Sequence, residues 1–213
     1  MIITVFFCSG NSGIHLSAYE GHDEVIEIFL YHGVDVNVRG INSLTPLMGA
    51  SLTGHYSSTK LLLDHGANID LQNAQGNSAL MLGTNYPDII GLLLSRGANL
   101  DLVNEKGDTV SKRAVNSDCF DAVKIFEAWK NPKSKDKSAY DAAFDGSTRL
   151  LRGFLTSGAT MNHRDRMNDT GLHVAAFKGH VDAIQVILDH GGDVNINIKV
   201  AKVGDRFPTI PVG

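Results

Sequence analysis

The sequence predicts an all-α stack of helix pairs, and three observations carry that prediction. The phrase SGIHLSAYEGH at residues 12–22 returns as TGLHVAAFKGH at residues 170–180, with weaker copies between them. Five of six copies hold a pair of small residues five and six positions after the leading residue. A segment with apolar pairs four residues apart then follows, which is the spacing of one helical face.

The copies start at Ser12, Thr45, Ser78, Thr109, Lys137 and Thr170, in steps of 33, 33, 31, 28 and 33 residues. A leading Ser or Thr caps a helix by accepting from its unpaired first N–H groups, and Pro46 falls where a first-turn proline is tolerated. The small pairs are Ser17-Ala18, Ala50-Ser51, Gly83-Thr84, Ala142-Ala143 and Ala175-Ala176, and they let neighbouring helices approach closely. A Gly-His turn comes next (Gly21-His22, Gly54-His55, Gly179-His180). The second helix carries Val25-Ile26 with Phe29-Leu30, Ile89-Ile90 with Leu93-Leu94, and Leu150-Leu151 with Phe154-Leu155. It stops at Gly33, Gly66, Gly97, Gly158 or Gly191, residues suited to a left-handed cap. One such pair cannot bury its apolar face alone, whereas a stack of pairs can.

The signature T-P-L-H-x-A-A, G-H and L-L-x-x-G-A-x-x-N is legible at Thr45–Asp70 and Thr170–Asn195. In these letters the chain resembles the ankyrin repeat family. The resemblance covers residues 10–197 and implies a solenoid of stacked helix-turn-helix units with short β-hairpin fingers. The units begin near residues 10, 43, 76, 107, 136 and 168, between an atypical segment 1–9 and a C-terminal tail 198–213.

Two units depart from the pattern. The third loses two residues at its turn and has Asn85-Tyr86-Pro87, with Pro87 placed to start the second helix. In the fourth, KNPKSKD replaces the usual glycine turn, and Pro132 with the charged run 130–137 predicts an irregular or mobile connector; if that connector is a hinge, units one to four move relative to units five and six. At the ends, MIITVFFCS stands where other units have a polar finger, and INIKVAKVGDRFPTIPVG does not restart the phrase at Val203. The expectation is a part of a longer ankyrin protein, since solenoids close with units whose outer faces are polar.

Composition fits a folded, non-secreted module. The chain is 43% hydrophobic and 20% charged with 5 Pro, enough for a core. Cys8 and Cys119 have neither disulfide-framework nor zinc spacing and suit a reducing compartment. The apolar start is too short for a membrane span and lacks a basic leader. Net charge is -4, with 3 basic and 10 acidic residues in 1–105 against 16 and 13 in the remainder, so nucleic acid is not the expected partner.

No phosphate-binding glycine loop, H-E-x-x-H, G-x-S-x-G or kinase signature is present. Eight of the nine histidines sit at repeat positions: His15 and His173 after the cap, His22, His55 and His180 after the turn glycine, and His32, His65 and His190 near the second helix end. Such junction residues satisfy backbone groups, leaving only His163 outside the scheme. Asp35, Asp70 and Asp101 recur with the period as turn residues. No catalytic group, metal or cofactor is expected.

What varies inside the fixed frame is the candidate site. In ankyrin proteins the finger tips and the two residues before each turn line a concave face that commonly binds partners. Carried over by position, the pre-turn residues are Tyr19, Glu20, Leu52, Thr53, Phe144, Asp145, Phe177 and Lys178, with Tyr86 from the shortened turn. The fingers supply Ile41, Asn42, Leu44, Gln75, Asn77, Lys106, Arg166 and Met167. Asn37, Asn162 and Asn195 match the hairpin asparagine that some ankyrin proteins have hydroxylated. The resemblance implies a monomeric, non-catalytic module holding a protein partner in the cytoplasm or nucleus. The alternative is the recruiting region of a larger enzyme, such as a ubiquitin-ligase subunit or a kinase.

Overall fold

The computed structural model describes residues 10–193, the side chains of 132 and 133 excepted. Twelve α-helices lie in this span and pair as six units: α1 Gly13–Glu20 with α2 Asp23–Tyr31, α3 Pro46–Thr53 with α4 Tyr56–Asp64, α5 Ala79–Leu82 with α6 Pro87–Ser95, α7 Val110–Asn116 with α8 Phe120–Lys130, α9 Pro132–Phe144 with α10 Thr148–Thr156, and α11 Gly171–Lys178 with α12 Val181–Asp189. The first helix of each pair is the inner one and the second the outer. The N-terminal segment 1–9, the tail 198–213 and Asn195 lie outside the described residues.

Local chemistry sets the helix starts. Thr45, Ser78 and Thr109 have extended backbones and accept, through their hydroxyls, from the N–H groups of Met48, Met81 and Lys112. Gly21, Gly54 and Gly179 close inner helices at φ of 77°, 83° and 73°, a left-handed bend that a side chain would strain. The small pairs are buried in every unit that has them, except Ala176. The core runs the length of the stack through Ile26, Leu62, Leu93, Phe126, Phe154 and Ile187.

His15 joins the first inner helix to the finger that follows it. Its Nδ1 accepts from Ser12 N–H at 3.2 Å and lies 2.9 Å from Ser12 Oγ, which leaves Nε2–H to donate to the carbonyls of Val38 (3.0 Å) and Leu44 (3.1 Å). His173 holds Thr170 in the same way, with Nδ1 3.2 Å from the backbone nitrogen and 2.8 Å from Oγ1.

Three features refine or correct the expected stack. First, the hairpin fingers close without a strand ladder. Each keeps at most a single antiparallel bridge, Gln72 to Ser78 and Val103 to Thr109, and the first is a short 3-10 turn over Ile41–Ser43. The turns are too tight for a ladder, so Asx side chains replace it: Asn73 accepts from Gln75 and Asn77, and Asn104 from Lys106 and Asp108.

Second, segment 130–137 is not irregular. Helix α8 runs to Lys130, Asn131 alone separates it from α9, and Pro132 stands at the tolerated first position of that helix. Lys137 is therefore not a cap. It lies inside α9 and pairs with Asp141 one turn on at 3.0 Å.

Third, the stack is not uniform across this unit. Inner helices α1, α3, α5 and α7 lie side by side, as do α9 and α11, but α7 and α9 scarcely touch. The outer helix α6 packs on α10 more than on its neighbour α8, and the α6–α10 contact is the most extensive between helices of the described residues. Two glycines allow it: a Cβ on Gly91 would run into the Gly153 carbonyl, and one on Gly153 would lie 2.7 Å from the Pro87 carbonyl.

Gly153→Ala is accordingly expected to lower unfolding free energy by about 1–3 kcal/mol, the range for overpacking a close-packed site. Urea denaturation followed by circular dichroism measures it, and an unchanged midpoint would refute the crossing. A second expectation concerns pH. Burial pushes the His15 imidazole below the ordinary histidine value, its backbone hydrogen bonds opposing the shift. The unfolded chain thus takes up the proton first, so the stability this residue confers is complete above about pH 6.5 and is lost as pH falls below it. Wild-type stability should fall more steeply than that of His15→Asn between about pH 7 and pH 5; equal slopes would contradict the assignment.

Candidate functional site

The candidate residues sit on two structures, the fingers and the C-terminal ends of the inner helices. Successive fingers are wired together through their backbones. Ala74 N–H donates to the Asn42 carbonyl at 2.7 Å, and Glu105 N–H to the Gln75 carbonyl at 3.1 Å. Side chains add further links: Arg39 to the Gln72 carbonyl (3.0 Å), Gln72 to the Val103 carbonyl (2.8 Å), and Asn104 to Asn77 (3.3 Å).

Below the fingers a second ladder runs between units. Asn37 Oδ1 accepts from Asn68 N–H at 2.7 Å, and Asp70 Oδ1 from Asn99 N–H at 2.9 Å. Where the fourth unit lacks this loop, Asp136 of α9 supplies the carboxylate, taking Thr160 N–H and Thr160 Oγ1–H, both at 2.7 Å. The family model for ankyrin repeats (3 copies) matches residues 14–104, and the ankyrin repeat model matches residues 167–199.

The chain belongs to the ankyrin repeat family.

It is 27% identical over 88% of its length to "Probable E3 ubiquitin-protein ligase XBOS32" of Oryza sativa subsp. japonica and 29% identical over 86% to "E3 ubiquitin-protein ligase XBAT32" of Arabidopsis thaliana. It is 25% identical over 85% to "Palmitoyltransferase AKR1" of Lachancea kluyveri. These matches cover 32%, 30% and 22% of the relatives, so the ankyrin chain spans about a third or less of the curated proteins it resembles. Among the described residues, no group of three or more His, Cys, Asp or Glu side chains could hold a metal ion, and no helix is long and apolar enough to cross a membrane.

The ankyrin frame places the candidate residues unequally. Glu20, Leu52, Phe144, Asp145, Phe177 and Lys178 are exposed at the helix ends, while Tyr19 is half-buried. Thr53 spends its hydroxyl on its own helix, donating to the Gly49 carbonyl at 3.0 Å. In the fingers, Asn42, Gln75, Lys106, Arg166 and Met167 are exposed. Ile41, Leu44 and Asn77 are half-buried; Leu44 packs on the core, and Asn77 is held by Asn104. Of the hairpin asparagines, Asn37 has its side-chain oxygen engaged by Asn68, and Asn162 is exposed.

Tyr86 does not behave as a pre-turn residue. Its ring stands over Gly54 as the His55 ring stands over Gly21 and the His180 ring over Gly146, so it fills the histidine place of the shortened turn. The guanidinium carbon of Arg149 lies over this ring, 5.7 Å from its centroid. Position in the repeat did not signal Arg149, because its approach depends on the direct α6–α10 contact. Exposed Phe120 and Val181 were also missed. Both open an outer helix, outside the positions taken as concave.

Tyr140 sits where the first and last units have their anchoring histidines. Its hydroxyl donates to Asp165 Oδ2 at 2.9 Å, and His163 packs edge-on against it at 5.1 Å. Asp165 Oδ1 in turn accepts from Met167 and Asp169 N–H at 2.8 Å, so the tyrosine fixes the finger that carries Arg166 and Met167. Burial, then the neighbouring carboxylate, hold its phenol well above the ordinary tyrosine range. Tyr140→Phe is expected to cost about 1 kcal/mol by loss of one hydrogen bond and to shift the amide resonances of Met167 and Asp169. Unmoved resonances would separate the finger from this anchor.

Proposed function

We propose that this ankyrin solenoid is a protein-binding module that holds a protein partner on its concave face and performs no chemistry itself. One observation carries the reading. Phe144 and Phe177 occupy the same repeat position in adjacent units and are 43% and 85% exposed, with Lys178 Nζ 4.2 Å from the Phe144 ring centroid. Two large aromatic rings beside a cation offer extensive apolar area and an electrostatic handle at low entropic cost, the composition of an energetic hot spot. Leu52 and Glu20 hold exposed pre-turn positions in the first units, and the exposed finger residues Arg166 and Met167 belong to the same proposed face.

A second reading, a recruiting region within a larger enzyme, takes its support from the ligase and palmitoyltransferase relatives, of which this chain covers about a third or less. Sequencing the full transcript tests it: an open reading frame continuing into a catalytic domain supports it, and stop codons flanking this frame remove it. In either case the cysteine usage favours the cytoplasm or nucleus as the place of action, which fractionation of the tagged protein checks.

Affinity capture with wild type beside Phe144→Ser/Phe177→Ser tests the binding face. Both rings are exposed, so circular dichroism should be unchanged while at least one captured protein is depleted by about tenfold. A partner list indifferent to both substitutions would overturn the proposal.

A further inference from the structure

The first unit presents a second, different surface on its outer helix. In later units the positions matching Val25 and Ile28 are buried, except Leu61, which is half-buried, and two of them face an outer helix of an earlier unit. Ser58, matching Val25, is buried and bonded to Asp23 of α2, and Gly153, matching Ile28, is buried against Pro87 of α6. In the third unit the matching residues are Ile89 and Leu92, at 0% and 3% exposure. Val25 and Ile28 themselves are 39% and 57% exposed, and Tyr31 beside them is 88% exposed. The site is thus shaped for a helix lying across α2, because an outer helix occupies the matching place in the second and fifth units.

Its charge narrows the chemistry of that helix. Between Gly10 and Val38 the chain carries five carboxylates and no Lys or Arg. Glu24 and Glu27 border the apolar stripe and line, with Ile28, Tyr31, His32 and His65, a shallow groove of about 650 Å³. Neither glutamate is engaged by an ion pair among the described residues. Arg39, the first cation along the chain, is turned to the Gln72 carbonyl. A second copy stacking end to end is disfavoured, since α12 at the other end bears Asp182 and Asp189 without a basic residue.

We propose that the outer face of α2, built on Val25, Ile28 and Tyr31 and edged by Glu24 and Glu27, docks a basic amphipathic helix of another polypeptide. The apolar side of that helix covers the exposed stripe as an outer helix does within the stack, and its Lys or Arg residues meet the two glutamates. The face lies on the outer row of helices, so it is separate from the inner-helix residues Phe144 and Phe177.

Fluorescence anisotropy with the full 213-residue chain and a labelled synthetic leucine-lysine helix of about 18 residues tests this. A leucine-glutamate helix of equal length is the control. The basic helix is expected to bind, to lose affinity by about tenfold or more in Ile28→Glu, and to weaken further at high salt. Phe177→Glu, on the concave face, should leave its affinity within about twofold. Equal binding of the acidic helix, or affinity unchanged in Ile28→Glu with circular dichroism intact, would overturn the proposal. So would sedimentation showing a wild-type dimer abolished by Ile28→Glu, which would assign the face to a second copy. Loss of captured partners in Phe144→Ser/Phe177→Ser without change in helix binding would separate the two surfaces.

Discussion

Because neither Gly91 nor Gly153 has a side chain, α6 and α10 meet backbone against backbone, and the path of the whole stack depends on that meeting. A regular solenoid would interpose the outer helix of the fourth unit between them. Here α8 is displaced and retains lesser contacts with both neighbours. Glycine inside a helix costs about 1 kcal/mol relative to alanine, and two of them are tolerated because dispersion and burial across the crossing offset the loss. The same contact brings Arg149 toward Tyr86 and leaves Phe120 exposed at the start of α8.

The fourth unit also shows how the inter-unit hydrogen bonds survive a missing loop. In the regular units a hairpin Asn or Asp accepts the backbone N–H of the next unit. Without that loop, the helical Asp136 reaches the N–H and hydroxyl of Thr160 from a different backbone. The requirement is an acceptor at a place in space, since an unpaired N–H at a unit junction is costly. Lys135 completes the splice, with its Nζ 3.1 Å from the Ser157 carbonyl and 4.0 Å from the Trp129 ring centroid. Residues that look like a solvated charge run in sequence are thus partly turned onto the structure.

Legibility in the sequence followed the range of the interaction. The caps at Thr45, Ser78 and Thr109 and the left-handed glycines 21, 54 and 179 depend on neighbours within a few residues, so the one-dimensional pattern contained them. The α9 start at Pro132 was misjudged because proline was read as a breaker, although a first-turn proline is equally compatible with its chemistry. The α6–α10 crossing joins residues more than sixty apart and was not foreseen. Its trace was nonetheless present, in a glycine set among the apolar pairs of each of these outer helices. For the candidate site, exposure of Phe177 and Lys178 followed from position, whereas Leu44 and Asn77 were drawn inward by core packing and by Asn104.

This division bears on how a partner could read the concave side. The row of inner helices is continuous from α1 to α7 and again from α9 to α11, with scarcely any contact between the two sets. Leu52 and Glu20 belong to the first set, Phe144 and Phe177 to the second. Were the sets joined only by a loose connector, their spacing would vary and a partner touching both would pay to order them. The connector is instead one residue between two helices, and the outer row is joined at two glycines with no side-chain slack. The gap between α7 and α9 is thus bridged by a one-residue connector and by the α6–α10 contact. On the proposed concave-face reading, a partner spanning that gap would be selected by the separation of its own contact residues as well as by their chemistry.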